Sequence, residues 1–183
     1  RAWMEHFEPQ HVAGNFWVVP SFCEPPEPDA VNLLIDPGLA FGSGTHATTF
    51  LCLQWLAKQQ LAGKTVLDYG CGSGILAIAS VLLGAREVYA FDIDPQALIA
   101  TDDNATRNGV ADRVQICASD RELTEPVDVL VANILLAPLL ELNGRFAELL
   151  KSDGSLGVSG VLSEQAATLA AGYATRFQHS ATE

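Results

Sequence analysis

The stretch that decides the fold is Val66-Leu67-Asp68-Tyr69-Gly70-Cys71-Gly72-Ser73-Gly74, an apolar run that ends in an acid and three alternate glycines. The apolar run predicts a buried strand, and the next segment, Ile75-Leu76-Ala77-Ile78-Ala79, predicts the start of a helix. Because alternate glycines cost conformational entropy that a plain strand-to-helix turn does not need, they indicate a backbone that a ligand approaches closely at a helix N-terminus. A plain turn is the alternative interpretation.

A second acid follows this turn at a spacing that is typical of cofactor-binding proteins. Asp92 ends the next strand-like run and stands 18 residues after Gly74, the spacing typical of an acid that accepts hydrogen bonds from the ribose hydroxyls of an adenosine cofactor. Asp94 competes for this role, and a solvated acid at a strand end is the alternative. Asp120, after the third strand, is either an acceptor for the adenine amino group or a simple loop acid.

The glycine spacing distinguishes between cofactors. The dinucleotide fingerprint Gly-x-Gly-x-x-Gly requires glycine at position 75, where this chain has Ile75, and a bulky residue there blocks close packing of helix on strand. The pattern is instead Asp-x-Gly-x-Gly-x-Gly, which is associated with methyltransferases. We therefore predict S-adenosylmethionine, bound at Gly70, Gly72 and Asp92, with Asp68 holding its polar end directly or through water. A nicotinamide-dependent oxidoreductase is the alternative.

Downstream of residue 64, short apolar runs alternate with helical patterns. Continuous Val/Ile/Leu runs predict strands buried on both faces, hence an α/β, doubly wound, mostly parallel sheet with helices on both faces, in which ligands lie beyond the carboxyl ends of the strands. The predicted strands are 65–68, 87–91, 114–118, 127–132 and 155–161, and the predicted helices are 74–83, 95–108, 135–150 and 163–177, the last capped by Ser163.

The first 64 residues follow a different pattern. Residues 16–19 and 31–35 predict strands on either side of a proline-rich turn, and a helix is expected over about 47–59. We predict that residues 1–15 are a remnant of an interdomain linker and that residues 16–183 form one domain. Thr45 is the expected N-cap of the helix, Gly42 and Gly44 suit a lid, and His46 is a poor candidate for a lone catalytic base.

Asn133 closes the apolar run Val131-Ala132-Asn133-Ile134-Leu135. A buried amide must find hydrogen-bond partners. In the functional interpretation, its carbonyl oxygen lies beside the methyl donor and orients an incoming amine. In the alternative, the amide bonds to local backbone. Nothing in the sequence stands out as a general base, so no catalytic acid or base is assigned.

The composition of the chain indicates which kinds of partner it binds and in which cellular compartment it works. The 22 acidic residues exceed the 10 Lys and Arg residues, giving a net charge of -12, which suits a basic partner and argues against direct nucleic-acid binding. The four cysteines form no Cys-x-x-Cys pair, so we expect no metal site, no disulfide framework and a reducing cytoplasm. No apolar stretch is long enough to predict a membrane span. The oligomeric state is not indicated by the sequence, and a monomer is favoured.

Several segments together resemble the PrmA family of methyltransferases, which modify large-subunit ribosomal protein L-eleven. The most specific are Leu34-Ile35-Asp36-Pro37-Gly38-Leu39-Ala40-Phe41-Gly42-Ser43-Gly44-Thr45-His46-Ala47-Thr48-Thr49, the stretch 68–74, Asp92-Ile93-Asp94-Pro95 and Asn133-Ile134-Leu135. The resemblance implies that Thr49, Gly70, Asp92 and Asn133 contact S-adenosylmethionine. Ser43 stands where the family commonly has Thr. Amino-methylating enzymes often follow the Asn with two prolines and an aromatic residue, which this chain lacks.

The resemblance implies an S-adenosylmethionine-dependent protein methyltransferase that modifies amino groups, the lysine side chain or the N-terminus, of a basic ribosomal protein. It also implies that the family's substrate-gripping N-terminal domain and the last strands of its sheet lie outside this chain. A methyltransferase acting on a different protein or on RNA, and a non-catalytic adenosine-binding module, are the remaining alternatives.

Overall fold

The computed structural model describes residues 8–36, 47–180 and 182. Short strands precede the first helix, and strands then alternate with helices. The elements are β1 (Gln10–Ala13), β2 (Phe16–Val19), β3 (Val31–Leu34), α1 (Ala47–Lys58), β4 (Thr65–Tyr69), α2 (Ile75–Leu82), β5 (Glu87–Phe91), α3 (Pro95–Arg107), β6 (Val114–Cys117), β7 (Val127–Asn133), α4 (Leu136–Leu149), β8 (Leu150–Ser159) and α5 (Ala166–Tyr173).

The main sheet is parallel throughout and has the order β6-β5-β4-β7-β8. The chain runs outward from β4 through β5 to β6, and then returns to the other side of β4 for β7 and β8. Connections that diverge on either side of β4 leave a crevice at the carboxyl ends of β4 and β7, which is where ligands bind in such sheets. The predicted doubly wound fold is confirmed.

Alternate side chains of the central strands enter two separate hydrophobic cores. Val66 belongs to the core that also contains residues of α1, α2 and α3, whereas Leu67 belongs to the core formed with α4 and α5. Both side chains are fully buried, as expected for a strand covered by helices on both faces. The sheet is therefore the middle of three layers, and its central strand is held from both sides.

A smaller sheet has the order β1-β2-β3, with β1 and β2 antiparallel and β2 and β3 parallel. Val12, Phe16 and Leu33 from its three strands join the core of α1 and α2. The sequence predicted β2 and β3 but not β1, which lies within the stretch 1–15 that was assigned to a linker. The division of the chain at residue 15 stays a prediction.

Two local predictions were wrong. The last strand begins at Leu150 rather than at residue 155, because the chain enters the sheet directly after α4, with Leu150 opposite Val127 and a register shift before Ser155. Ser163 does not cap a helix over 163–177. Residues Ser163–Gln165 form a separate 3-10 turn, in which the Gln165 side chain accepts from the backbone N–H of Leu162 at 2.9 Å, and α5 follows.

Within the described parts of the chain, none of the helices combines the length and apolarity that crossing a bilayer requires.

Candidate functional site

The glycine turn between β4 and α2 adopts a backbone that other residues rarely take. Gly70, Gly72 and Gly74 have φ angles of 82°, 54° and 79°, all in the left-handed region, which explains the alternate spacing seen in the sequence. A Cβ atom on Gly70 would also collide with the side chain of Ile134, which follows β7. The turn and the end of β7 are therefore in direct contact.

Asp68, the last acid before the turn, is fully buried. One carboxylate oxygen, Oδ2, accepts from the backbone N–H of Ala77 in the first turn of α2 at 3.0 Å. Because the N-cap residue Gly74 has no side chain to accept this bond, Asp68 does so from the neighbouring strand. The other oxygen, Oδ1, has no hydrogen-bond partner among the described residues. Asp68 thus presents one free buried acceptor.

The protonation of Asp68 reflects this environment. Burial raises the pKa of the carboxyl group, the N–H of Ala77 lowers it, and the charge of Asp92 raises it further, which brings the pKa to about 7. The group therefore titrates near neutrality, and a cation placed beside it would favour its ionised form.

Asp92 lies at the carboxyl end of β5 and is half-buried. Its Oδ2 atom accepts from the backbone N–H of Gly72 at 3.0 Å, and its Oδ1 atom accepts from the N–H of Asp94 at 2.9 Å. The first bond ties Asp92 to the glycine turn. The competing acid, Asp94, is the N-cap of α3, where its side chain accepts from the N–H of Gln96 at 2.9 Å. Asp92, unlike Asp94, is bonded to the glycine turn, and this contact favours Asp92 as the ribose acceptor, which stays a prediction.

Asn133 and Thr49 are 84 positions apart in the sequence and are in contact in the structure. The amide Nδ2 of Asn133 donates to the hydroxyl oxygen of Thr49 at 3.0 Å. Thr49 is buried on α1, and the Oδ1 atom of Asn133 is buried without a partner among the described residues. Thr49 therefore orients the amide so that its acceptor oxygen is left available.

Asp120 is engaged by other protein groups. Its Oδ2 atom accepts from Arg145 Nε at 2.9 Å and from the Tyr69 hydroxyl at 3.4 Å. Burial first, and then the charge of Asp120, raise the pKa of Tyr69 to about 12. Both interpretations of Asp120, adenine acceptor and loop acid, stay open.

Other predicted residues lie outside the described parts of the chain. These are Gly42, Ser43, Gly44, Thr45 and His46. The sequence analysis also missed two side chains on α3, Thr101 and Asn104, which hydrogen-bond to the carbonyl oxygens of the glycine turn. They are separated from the turn by about thirty residues, and no local sequence pattern indicates the contact. Among the described residues, no group of three or more His, Cys, Asp or Glu side chains could hold a metal ion.

The residues of the site suit the predicted cofactor. Asp68 and Asn133 each leave a buried oxygen without a partner, and an unsatisfied buried acceptor is costly unless a ligand pairs with it. The glycine turn adopts the left-handed backbone that its alternate glycines predict, and Asp92, at the next strand end, is hydrogen-bonded to it. The fold and the site together define a Rossmann-like methyltransferase of the class that uses S-adenosylmethionine.

The particular family follows from the comparison with known proteins. The family model described as Ribosomal protein L11 methyltransferase (PrmA) matches residues 1–183, and the chain belongs to this family. The resemblance and the cofactor predicted from the sequence are both confirmed by this membership. S-adenosylmethionine is the methyl donor of the family.

Individual relatives agree with the family assignment. The chain is 54% identical over 181 residues to a ribosomal protein L11 methyltransferase of Acinetobacter baumannii (strain AYE), covering 97% of this chain and 60% of the relative. It is 54% identical over 183 residues to the protein of the same name from Legionella pneumophila (strain Corby), covering 100% of this chain and 63% of the relative. The chain therefore spans less than two thirds of the length of these curated relatives.

A solved structure extends the similarity to the fold. The ribosomal protein L11 methylase from Lactobacillus delbrueckii subsp. bulgaricus superposes with a TM-score of 0.83 at 32% identity, covering 93% of this chain and 89% of the other.

Proposed function

We propose that the protein transfers methyl groups from S-adenosylmethionine to amino groups, on lysine side chains or at the N-terminus, of a large-subunit ribosomal protein in the cytoplasm. The proposal is supported by membership of the family described as Ribosomal protein L11 methyltransferase. It is also supported by a site with a glycine turn, an acid at the next strand end and an oriented amide. The proposal assigns Thr49, Gly70, Gly72, Asp92 and Asn133 to the binding of the cofactor.

The single observation that carries the amine specificity is the orientation of Asn133. Its Nδ2 atom is used by Thr49, and its Oδ1 atom is buried with no partner among the described residues. An acceptor that lacks a donor suits a substrate that brings N–H groups, and an amine does so. A carbon nucleophile brings no such donor, and a hydroxyl brings one O–H where a neutral primary amine brings two N–H groups.

The chemistry requires positioning more than acid–base catalysis. S-adenosylmethionine supplies an electrophilic methyl group on a sulfonium centre. An ordinary lysine has a pKa near ~10.4, so the amine must lose a proton, which water can accept, before its lone pair is available. Asn133 Oδ1 would then accept from an N–H of the neutral amine and so fix the direction of its lone pair. Holding the nitrogen in line converts a bimolecular step into an effectively unimolecular one.

The charge of the chain supports a basic protein as the substrate. A net charge of -12 on 183 residues attracts Lys- and Arg-rich partners and repels nucleic acid. The same argument disfavours RNA itself as the substrate.

The first experiment separates the cofactor from the reaction. Calorimetric titration with S-adenosylmethionine, S-adenosylhomocysteine and NAD should show binding of the first two alone. Binding of NAD alone would instead indicate an oxidoreductase. Methyl transfer is then measured with a ribosomal protein of the L-eleven type and with ribosomal RNA as acceptors. A protein that binds the cofactor but methylates neither would be a non-catalytic module.

The role of Asn133 has its own test. Asn133→Ala should lower turnover by roughly 100-fold, the effect expected when an orienting contact is lost. The matched control is Asn15→Ala, which changes an exposed asparagine in the turn between β1 and β2. Equal turnover in the two variants would remove Asn133 from the mechanism.

A further inference from the structure

Two carbonyl groups of the glycine turn are hydrogen-bonded by polar side chains of α3. Thr101 is fully buried, and its hydroxyl lies 3.2 Å from the carbonyl oxygen of Gly72 and 3.3 Å from the sulfur of Cys71. A threonine within a helix usually bonds to a carbonyl group of its own helix or faces solvent. Here its hydroxyl instead contacts the turn.

Asn104 lies one helical turn further along the same face of α3. Its Nδ2 atom donates to the carbonyl oxygen of Ser73 at 2.8 Å, and its Oδ1 atom accepts from Arg107 at 3.1 Å. The bond from Arg107 fixes which side of the amide faces the turn, since guanidinium groups only donate. The carbonyl groups of Gly72 and Ser73 are therefore both held by α3.

The packing between α3 and the turn is equally close. A Cβ atom on Gly74 would lie 2.7 Å from the methyl group of Thr101 and 3.0 Å from its Cα atom. The absence of a side chain at Gly74 is thus needed for Thr101 to reach the turn, as well as for the left-handed backbone. Thr101 and Gly74 form a matched pair.

We propose that Thr101 and Asn104 are positioning residues that fix the peptide groups from Gly72 to Gly74 and thereby set the affinity for S-adenosylmethionine. In a planar trans peptide the carbonyl oxygen and the following N–H point in opposite directions, so a bond that fixes one fixes the other. A turn with three glycines is otherwise free to adopt many conformations, and binding would have to order it. Side chains that order the turn beforehand remove that cost from binding.

The same helix also connects the turn to Asp92. Asp94 caps α3, and its N–H donates to Asp92, while Asp92 accepts from Gly72. The two parts of the site that face the cofactor in the proposed function are therefore both attached to α3. This inference rests on the proposed function, since it concerns the affinity for the same cofactor.

The test compares isosteric changes on the two faces of α3. Thr101→Val keeps the shape and removes the hydroxyl, and it should raise the Kd for S-adenosylmethionine roughly fivefold, as expected for one neutral hydrogen bond. Thr101→Ser should restore the Kd to within about twofold of the original protein. Thr106→Val, an identical change at an exposed position of α3, is the control and should leave the Kd unchanged.

A second variant keeps the test decisive where Thr101→Val fails to fold. Asn104 is only half-buried, and Asn104→Ala should also raise the Kd roughly fivefold. Original Kd values in both Thr101→Val and Asn104→Ala would overturn the inference, and so would an equal loss of affinity in Thr106→Val. If the unsubstituted protein binds no S-adenosylmethionine, the proposed function itself fails and this inference with it.

Discussion

The central strand β4 has an aspartate at each end, Asp68 within its carboxyl end and Asp128 of β7 beside its amino end, and the two carboxylates have opposite hydrogen-bonding environments. Asp68, toward the carboxyl end, keeps one oxygen without a partner, and its pKa is raised to about 7. Asp128, at the amino end of β7, accepts from the N–H and the hydroxyl of Thr65 at 2.8 Å and 3.0 Å, and from Lys151 at 2.6 Å.

The pKa of Asp128 shows the result of these bonds. Burial raises the pKa, but the ammonium group of Lys151 and the two donors of Thr65 outweigh burial and bring the pKa to about 2. Both oxygens of Asp128 are therefore paired with protein donors, as expected for a carboxylate with a structural role. The carboxyl end keeps unpaired acceptors at Asp68 and Asn133, which is the arrangement of a site that a ligand completes.

The largest effect on affinity is expected at the carboxyl end of the sheet, called the ligand end here because Asp68, Asp92 and Asn133 lie there. Asp92→Ala removes the predicted ribose acceptor and the bond to Gly72, and it should raise the Kd for S-adenosylmethionine by about 200-fold, or roughly 3 kcal/mol, since two hydrogen bonds to a charged group are lost. Calorimetry measures the change. The control is Asp103→Ala, which removes an exposed carboxylate from α3. A change below about fivefold in Asp92→Ala would show that ribose is held elsewhere.

Asp68→Asn tests the unpaired buried carboxyl group through pH. Because the folded pKa of about 7 lies above the ordinary value of 3.8, the folded state keeps a proton that the unfolded state has released between these values. Stability should therefore fall as pH rises from about 4 to about 7, by roughly 2.5 kcal/mol between pH 5 and pH 8. In Asp68→Asn, which keeps an acceptor for Ala77 and does not ionise, this dependence should be absent.

Urea denaturation of the ligand-free protein at pH 5 and pH 8 measures this difference. Asp112→Asn, at an exposed position, is the control and should keep the pH dependence of the original protein. Asp128 does not interfere, because its lowered pKa affects stability only as pH falls from about 4 toward 2. Identical pH dependence in Asp68→Asn and the original protein would mean that Asp68 is ionised throughout this range.

Local patterns account for what the sequence predicted at the ligand end. The apolar run through Val66 and Leu67 fixes a strand with two buried faces, and the left-handed angles of the turn require the alternate glycines. These constraints act between near neighbours, so a sequence displays them. The contact between Asn133 and Thr49 is different, because the resemblance identified both residues but the hydrogen bond exists only once α1 packs beside β7.

The failures of sequence reasoning have the same physical origin. Gln10-His11-Val12-Ala13 has little strand character of its own and becomes β1 by pairing with β2. Ser163 has a side chain suited to an N-cap. In the structure, however, the backbone N–H of Leu162 donates to the side chain of Gln165, and a 3-10 turn over Ser163–Gln165 precedes α5. Thr101 had no local signal at all, since its partner Gly72 is 29 residues away. Tertiary packing decided each case.

At the amino end of the sheet, a substitution of Asp128 should lower the stability of the fold without weakening the binding of S-adenosylmethionine. Asp128→Ala leaves the N–H and hydroxyl of Thr65, which is buried, without their acceptor, and this should lower the free energy of unfolding by roughly 1.5 kcal/mol. The Kd for S-adenosylmethionine should stay within about twofold of the value for the original protein. The reason is that the hydrogen-bond partners of Asp128, Thr65 and Lys151, are not residues of the predicted cofactor site. An affinity loss comparable to that of Asp92→Ala would contradict the separation of the two ends.

The smallest effect is expected for Lys151→Ala, which removes the ammonium group from Asp128 but leaves both bonds from Thr65. The Lys151 side chain is 45% exposed, so water and salt screen the ion pair, and the free energy of unfolding at pH 7 should fall by less than about 1 kcal/mol. The difference between variant and original protein should shrink further in 1 M salt, where charges are screened within about 3 Å. Lys64→Ala, at the same end of the sheet, is the control because Lys64 makes no ion pair within the described residues. A loss as large as that of Asp128→Ala would show that Lys151, rather than the Thr65 bonds, holds the amino end of the sheet together.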